Sequence, residues 1–482
     1  MISPVRPQRP RELAVHGAML GGALALTMIA WWPAVHGWFL LDDYRWLLPS
    51  DRRFDVPRAF ISTWGHGYAY RPLMRLSFFA DLQIFGWDAR GWHLHNLLLH
   101  ALNATLLFSL IRAATDAWLP ALAIAALFAV SPAGHENIAW ISGRTFLLGG
   151  FFFLLSANLL LRSMTTADTR DGERFFWWGV AAFVAAMASY EPTMVLPLLA
   201  FVTVRSFPSL MIAPRDVVSR RLRDLFLVLI LFGVGRVVLL RGHLGDVGGW
   251  SALWLYQPIR YYVTYYVLTG HTARIIVPIA VLAALVGSTL LMRSARLPLY
   301  LAITAFVLFL PFVNVVGVAD RFFYLMQIAA IAAIVVLFWR IGTVTVITVT
   351  LVLTIAGAAD CRQAAREWTE AGTIARSVAA DLHRMYPTWP TGTDIVVDTL
   401  PRQIGRGSIY VLYTKESMLQ RQPNPVTIDA RVYFGEELAA SPALRAARDG
   451  RPAKYFRFDA RTYGLTELSA SEWETVHAAA AR

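Results

Sequence analysis

Long apolar runs separated by short basic or aromatic turns set the pattern of this chain. The first, residues 14–32, carries no Arg, Lys, Asp or Glu and follows Arg6, Arg9 and Arg11. A transmembrane helix needs about 20 mostly apolar residues. The run ends in Trp31, Trp32 and Pro33 rather than at a small-residue cleavage site, so it reads as a retained anchor and not as a signal peptide. Further apolar stretches begin near His93, Trp118, Ile138, Phe175, Thr193, Leu225, Ile275, Leu297, Phe322 and Val344, which predicts about eleven transmembrane helices. The aromatic run 256–270 is read as interfacial or re-entrant. Only then do the basic turns at 205–223, 293–296 and Arg340 share one side with the amino terminus. Lys and Arg concentrate on the cytoplasmic side, so the amino terminus is expected inside and the carboxyl-terminal segment outside.

The pattern changes at Asp360. "DCRQAAREWTEAGTIARSVAADLHRMYP" has helical spacing, and "TDIVVDTLP", "SIYVLYT" and "KYFRFDA" read as strands separated by Gly and Pro. Residues 360–482 are expected to form a small α/β extracytoplasmic domain, behind a transmembrane domain of residues 1–359. Within the latter, residues 33–92 form a long first outer loop. It opens with "GWFLLDDYRWLLPSDRRF", and its aromatic and basic content suggests helices lying in the membrane interface.

Composition agrees with a bilayer as the solvent: of 482 residues, 56% are hydrophobic and only 16% charged, against about 25% charged in soluble proteins. The 44 Lys and Arg against 32 Asp and Glu give +12, and nearly all the excess lies upstream of residue 360. That fits cytoplasmic loops on an anionic leaflet and argues against a nucleic-acid partner, which would need a contiguous basic face. The single cysteine, Cys361, excludes an intrachain disulfide framework. No Walker-type phosphate loop, G-x-G-x-x-G or H-E-x-x-H is present.

Asp42 and Asp43 stand ten residues past the first span. Adjacent carboxylates at a low-dielectric boundary repel, which raises one pKa and suits a general base. From spacing alone, a solvated loop pair or a cap for the following helix is the more ordinary reading of the same residues. Arg144 and Arg236 fall inside apolar runs, where an ionisable group is costly and becomes a functional candidate by default, or pairs internally. Glu191, at the outer end of a span, is a candidate partner for one of them. His93, His95 and His100 do not share one helix face, so no metal is assigned to them. His243, in the Gly-rich outer loop "RGHLGDVGGW", is a polar candidate because such loops let backbone approach a ligand.

An acidic pair after the first span, then "YRPL", "GWHLHNLLLHALNATLLFSLI", "LFAVSPAGHENIAWISGRTFLL", "SYEPTMVLPLLAF" and "ADRFFYL", resembles the C-type glycosyltransferases (GT-C). The set is most similar to the branch of protein O-mannosyltransferase-like membrane enzymes and covers roughly the first 340 residues. Ser131 and Gly134 depart from that branch's "HPVHxE" string, Tyr190 stands where "SKE" has Lys, and no tetratricopeptide pattern follows. The resemblance implies an α-helical polytopic fold and an inverting transfer of a sugar from a polyprenyl phosphate carrier to an extracytoplasmic acceptor. By motif position it makes Asp42 the base, with Asp43 orienting it or taking its place. His135 and Glu136 become an acceptor or second acidic site, and Arg71 and Arg321 bind the lipid phosphate, which guanidinium forks match. Arg144, Glu191, His243 and Tyr324 join as possible substrate-binding groups. Some relatives bind a divalent cation near the acidic residues and others do not, so no cofactor is assigned. Compact size and the lack of obvious organelle signals suggest a bacterial inner membrane and an undecaprenyl carrier. A transporter of an anionic solute and an O-antigen ligase-like glycan polymerase are the competing readings.

Overall fold

The computed structural model describes residues 9–46, 56–61, 70–239, 286–287, 295–312, 319–390, 392–409, 431–434 and 452–480. The first apolar run forms α1 (Arg9–Trp31) and closes in a 3-10 turn (Trp32–His36), where Pro33 suits a first helical position. Short helices α2 (Asp43–Trp46) and α3 (Val56–Ile61) follow, then α4 (Pro72–Phe85) and α5 (Ala89–Thr115). Asp88 caps α5 by accepting the Arg90 N–H, and Asp116 ends it in a left-handed conformation. Helix α6 (Trp118–Ala129) bends by 48° into the segment Pro132–Ala139, which contains α7 (His135–Ala139). Helices α8 (Arg144–Thr165) and α9 (Thr169–Ser189) pack as a hairpin. Gly179 lets the backbones close up, since a Cβ there would sit 2.9 Å from Leu160, and Ser156 Oγ donates to the Gly179 carbonyl. Helices α10 (Leu196–Ser206), α11 (Arg215–Leu239), α12 (Arg296–Phe309) and α13 (Gln327–Ile341) complete this layer.

Among the described residues four helical segments are long and apolar enough to cross a membrane: Ala14–His36, Ala89–Thr115, Ile141–Thr165 and Thr343–Met385. The bent pair Trp118–Ala129 with Pro132–Ala139 makes a fifth if it counts as one span. Leu297, Phe322 and Val344 fall in or beside α12, α13 and α14 (Thr343–Met385). The stretch expected from Ile275 and the run 256–270 lie outside the described residues.

Helix α14 has 43 residues and runs unbroken through Asp360, where the composition changes. At about 1.5 Å per residue it is roughly 65 Å long, about twice the hydrocarbon thickness of a bilayer. Its first half exposes Val344, Leu351, Val352 and Ile355, whereas its second half buries Cys361, Ala364, Ala365, Trp368, Ala371, Ile374, Ala375 and Val378 at helical spacing. That buried stripe lies against the end of α1 and the turn that follows it. Thr369 Oγ1 donates to the Pro33 carbonyl, Arg362 to the Ile29 carbonyl, and the Arg376 guanidinium lies 4.3 Å from the Trp38 ring centre.

The carboxyl-terminal sheet has the order β4-β1-β5-β6: β1 (Asp394–Asp398), β2 (Gln403–Ile404), β3 (Gly407–Ser408), β4 (Val432–Phe434), β5 (Ala453–Asp459) and β6 (Gly464–Leu468). β1 is parallel to β4 and to β5, and β6 is antiparallel to β5. The expected strands "TDIVVDTLP" and "KYFRFDA" contain β1 and β5, while "SIYVLYT" lies mostly outside the described residues. β2 and β3 pair as a separate hairpin whose Arg406 binds Glu367 and Asp360, fastening it to α14. Helix α15 (Ala470–Ala480) closes the chain. The protein is therefore mostly helical with a small terminal sheet.

A Cβ at Gly372 would stand 2.7 Å from the Trp38 backbone nitrogen. Gly372→Val should force α14 away from the first outer turn and cost about 1–3 kcal/mol. A thermal unfolding midpoint in detergent equal to that of the wild type would contradict this close contact.

Candidate active site

Beyond the 3-10 turn the chain is extended until Leu41, which adopts φ 52°. A left-handed backbone at a residue with a side chain costs about 1–2 kcal/mol and persists only when its surroundings fix it. Here the Asp43 carboxylate accepts the Leu40 N–H at 2.8 Å, the Trp140 indole donates to the Leu40 carbonyl at 3.1 Å, and Tyr44 donates to the Phe39 carbonyl at 2.6 Å. The other Asp43 oxygen accepts the Ser142 N–H at 2.8 Å and the Ser142 hydroxyl. Both oxygens of Asp43 are thus occupied in tying the turn at Leu41 to the turn that starts α8. Burial pushes its pKa up to about 7, against the downward pull of the Ser142 and Leu40 donors and with a further push from Asp42. Asp42, at the tip of the strained turn, is only half-buried.

Two arginines stand in the field of Asp42. Arg71 precedes α4 and reaches Glu191 through Nε at 2.8 Å, while the neighbouring Tyr70 N–H meets the other Glu191 oxygen at 3.1 Å. The Arg71 guanidinium is 5.2 Å from the centre of the Tyr190 ring. Arg321 lies in a 3-10 turn (Asp320–Phe323), and both its N–H and its Nη1 reach one Glu136 oxygen at 3.1 Å. Burial lowers the pKa of each guanidinium, but the net shift is upward, because Glu191, Tyr190 and Asp42 act on Arg71 and Glu136, Asp42 and Tyr190 act on Arg321. Both cations are held charged, and each uses a single side-chain nitrogen on its glutamate among the described residues. Five separate segments therefore bring Asp42, Arg71, Glu136, Tyr190, Glu191 and Arg321 into one electrostatic neighbourhood.

Other candidates occupy different places. His135 is buried beside this group, with Nε2 2.7 Å from Asp320 and Nδ1 accepting from the Trp368 indole at 3.1 Å. Arg144 is fully buried and held by Asp81 at 2.5 Å, Asn96 at 2.8 Å and the Trp92 carbonyl at 2.9 Å, so its side chain is enclosed in the packing of α4, α5 and α8. Arg236 approaches Glu191 at 3.7 Å. Tyr324 is buried between His100 and Asn103, each at 2.9 Å. The three histidines of α5 diverge: His95 meets Asp81, His100 meets Tyr324, and His93 faces Gly37. Among the described residues no group of three or more His, Cys, Asp or Glu comes together in a metal-holding arrangement. His243 lies outside the described residues. The sequence reading did not single out Ser142, Trp140 or Asp320. Each is adjacent to, or within a few residues of, a residue it did name, and that adjacency is the only signal they carry.

No family model matches the chain. The protein O-mannosyl-transferase Tmtc1 of Drosophila melanogaster is 32% identical over 163 residues, which is 31% of this chain and 19% of that protein. This chain is similar to the protein O-mannosyltransferases. Another, tmtc2 of Xenopus laevis, is 36% identical over 124 residues, or 25% of this chain and 14% of the relative. The chain thus spans less than a fifth of the length of these curated relatives. The resemblance read from the sequence is to the same group. Among solved structures, the Archaeoglobus fulgidus oligosaccharyltransferase in complex with zinc and sulfate has a TM-score of 0.49 at 13% identity, covering 86% of this chain and 62% of that one. ArnT from Cupriavidus metallidurans bound to undecaprenyl phosphate has a TM-score of 0.45 at 13% identity, covering 92% and 93%.

The Asp43 carboxyl loses its proton near 3.8 in an unfolded chain and near 7 when folded. Between those values folding takes up a proton, so this group's contribution to stability falls as pH rises through the window and is constant above it. Asp43→Asn should flatten the dependence of the unfolding midpoint on pH by about one proton and lower the midpoint near pH 5. Equal slopes for variant and wild type would show that Asp43 does not titrate there.

Proposed function

We propose that this chain is an inverting glycosyltransferase of the membrane, taking a sugar from a polyprenyl phosphate and passing it to an extracytoplasmic acceptor. The observation that carries this reading is the half-buried Asp42 carboxylate placed in the field of two half-engaged guanidinium groups, Arg71 and Arg321. In the reaction the acceptor hydroxyl oxygen bonds to the anomeric carbon, and the bond from that carbon to the phosphate oxygen breaks on the opposite face. Asp42 takes the hydroxyl proton. The departing polyprenyl phosphate gains one negative charge, which Arg71 and Arg321 stabilise through the nitrogens their glutamates leave open. Asp43 serves as the fixed post that aims Asp42, since its own oxygens are taken by Leu40 and Ser142. Glu136 and His135 border the acceptor side, and Glu191 holds Arg71.

The integral membrane character follows from the apolar helices. About eleven crossings, an amino terminus inside, a bacterial inner membrane and an undecaprenyl carrier extend the reading. So does the role of residues 360–482 as an outer domain that presents or selects the acceptor, a protein, lipid or surface glycan. The division falls within α14, which carries the sheet on a rigid stem.

Transfer of labelled sugar from a panel of polyprenyl phosphate sugars to a membrane acceptor fraction tests the proposal. Asp42→Asn should fold and lose about 100- to 10,000-fold in rate, and Arg321→Ala should lose about 100- to 1,000-fold. Wild-type transfer with Asp42→Asn at full rate would remove the base assignment. No transfer from any donor, with uptake of an anionic solute in vesicles, would favour the transporter reading.

A further inference from the structure

We infer that Trp368 is a positioning residue for Arg321, acting through His135 and Trp140; the inference rests on the reading of Arg321 as a phosphate-binding group. Trp368 lies in the outer half of α14, beyond the part of the chain that carries the family resemblance, and is 3% exposed. Its indole N–H donates to His135 Nδ1 at 3.1 Å. An acceptor at Nδ1 leaves the proton of a neutral imidazole on Nε2, which then donates to Asp320 at 2.7 Å. One residue further along each strand of this contact, Glu136 receives the backbone N–H and the guanidinium of Arg321, and Asn137 donates to the Arg321 carbonyl at 3.0 Å. Three consecutive residues, His135, Glu136 and Asn137, therefore hold two consecutive residues, Asp320 and Arg321, in register.

Trp368 fixes the first of these contacts and also backs the second. Its ring stacks on Trp140 at 6.4 Å between centres with planes 15° apart, and the Arg321 guanidinium lies 5.6 Å from the Trp140 ring centre. Trp140 in turn donates to the Leu40 carbonyl, inside the strained turn that presents Asp42. The indole thus touches no atom of the phosphate site and yet sets the imidazole tautomer on one side and the aromatic wall behind the cation on the other. Orientation of a ligand-binding group by outer partners of this kind is a general device.

The test compares wild type, Trp368→Phe and Asp320→Asn in detergent, measuring the affinity for undecaprenyl phosphate, the donor KM and kcat of sugar transfer, and the unfolding midpoint. Phenylalanine keeps an aromatic ring against Trp140 and removes the N–H. Asparagine keeps the shape of Asp320 and removes the charge that draws the Nε2 proton. Each should weaken lipid phosphate binding and raise donor KM on the order of tenfold, the effect of one hydrogen bond, and change acceptor KM by less. The double variant should be no worse than the poorer single one, because both break one relay. A purely structural Trp368 would instead lower the unfolding midpoint and leave donor and acceptor KM of the folded fraction unchanged. Should Trp368→Phe not fold, Asp320→Asn alone decides. Wild-type affinity in the folded variants overturns the relay and leaves the transferase reading intact, whereas a wild type that neither binds nor transfers overturns both.

Discussion

The Asp43 carboxylate is the joint on which the arrangement around Asp42 depends. One oxygen fixes the backbone on the near side of the Leu41 turn, and the other fixes the turn at Ser142 that starts α8. Without an acceptor there, two buried backbone N–H groups would lose their partners, at about 1–3 kcal/mol each, and Leu41 would lose part of what holds its positive φ. The geometry of Asp42 is thus inherited from its neighbour. This division of labour also explains why the two carboxylates need not compete for one role despite their adjacency.

The same logic governs the arginines. A guanidinium removed from water must meet a carboxylate or several acceptors. Arg144 meets that demand completely, with Asp81, Asn96 and the Trp92 carbonyl, and its contacts leave it no approach for a ligand. Arg71 and Arg321 meet it only in part, through Glu191 and Glu136. The three arginines thus differ in how much of the fork the protein itself takes, and both degrees occur within one small region of the protein.

Much of this was legible in the sequence. Apolar length gave α1, α5, α8 and the first half of α14, and short strand-like runs separated by Gly and Pro gave β1 and β5. The cost of a charge in an apolar run marked Arg144 correctly as unusual, but cost alone says nothing about partners, and Asp81 lies in a different helix. Asp42 and Asp43 are equivalent as letters. Their separation into a half-buried tip and a buried post follows from Ser142, about a hundred residues away. The change of composition at Asp360 read as a boundary, although helical hydrogen bonding is indifferent to whether lipid or protein lies outside, so α14 passes straight through it. Trp368 gave no signal at all, since a tryptophan on an amphipathic helix is ordinary until its ring is seen against His135.

The Glu136–Arg321 contact joins residues 185 positions apart. At a synthesis rate of about 5–20 residues per second, the arginine emerges roughly 10–40 s after its glutamate. During that interval Asp42 and Glu136 are already made, with no cation from the later turn beside them. The neighbourhood of Asp42 and Glu136 is therefore completed only by a late segment of the polypeptide, and a prematurely terminated chain carries both carboxylates without the Arg321 guanidinium that meets Glu136.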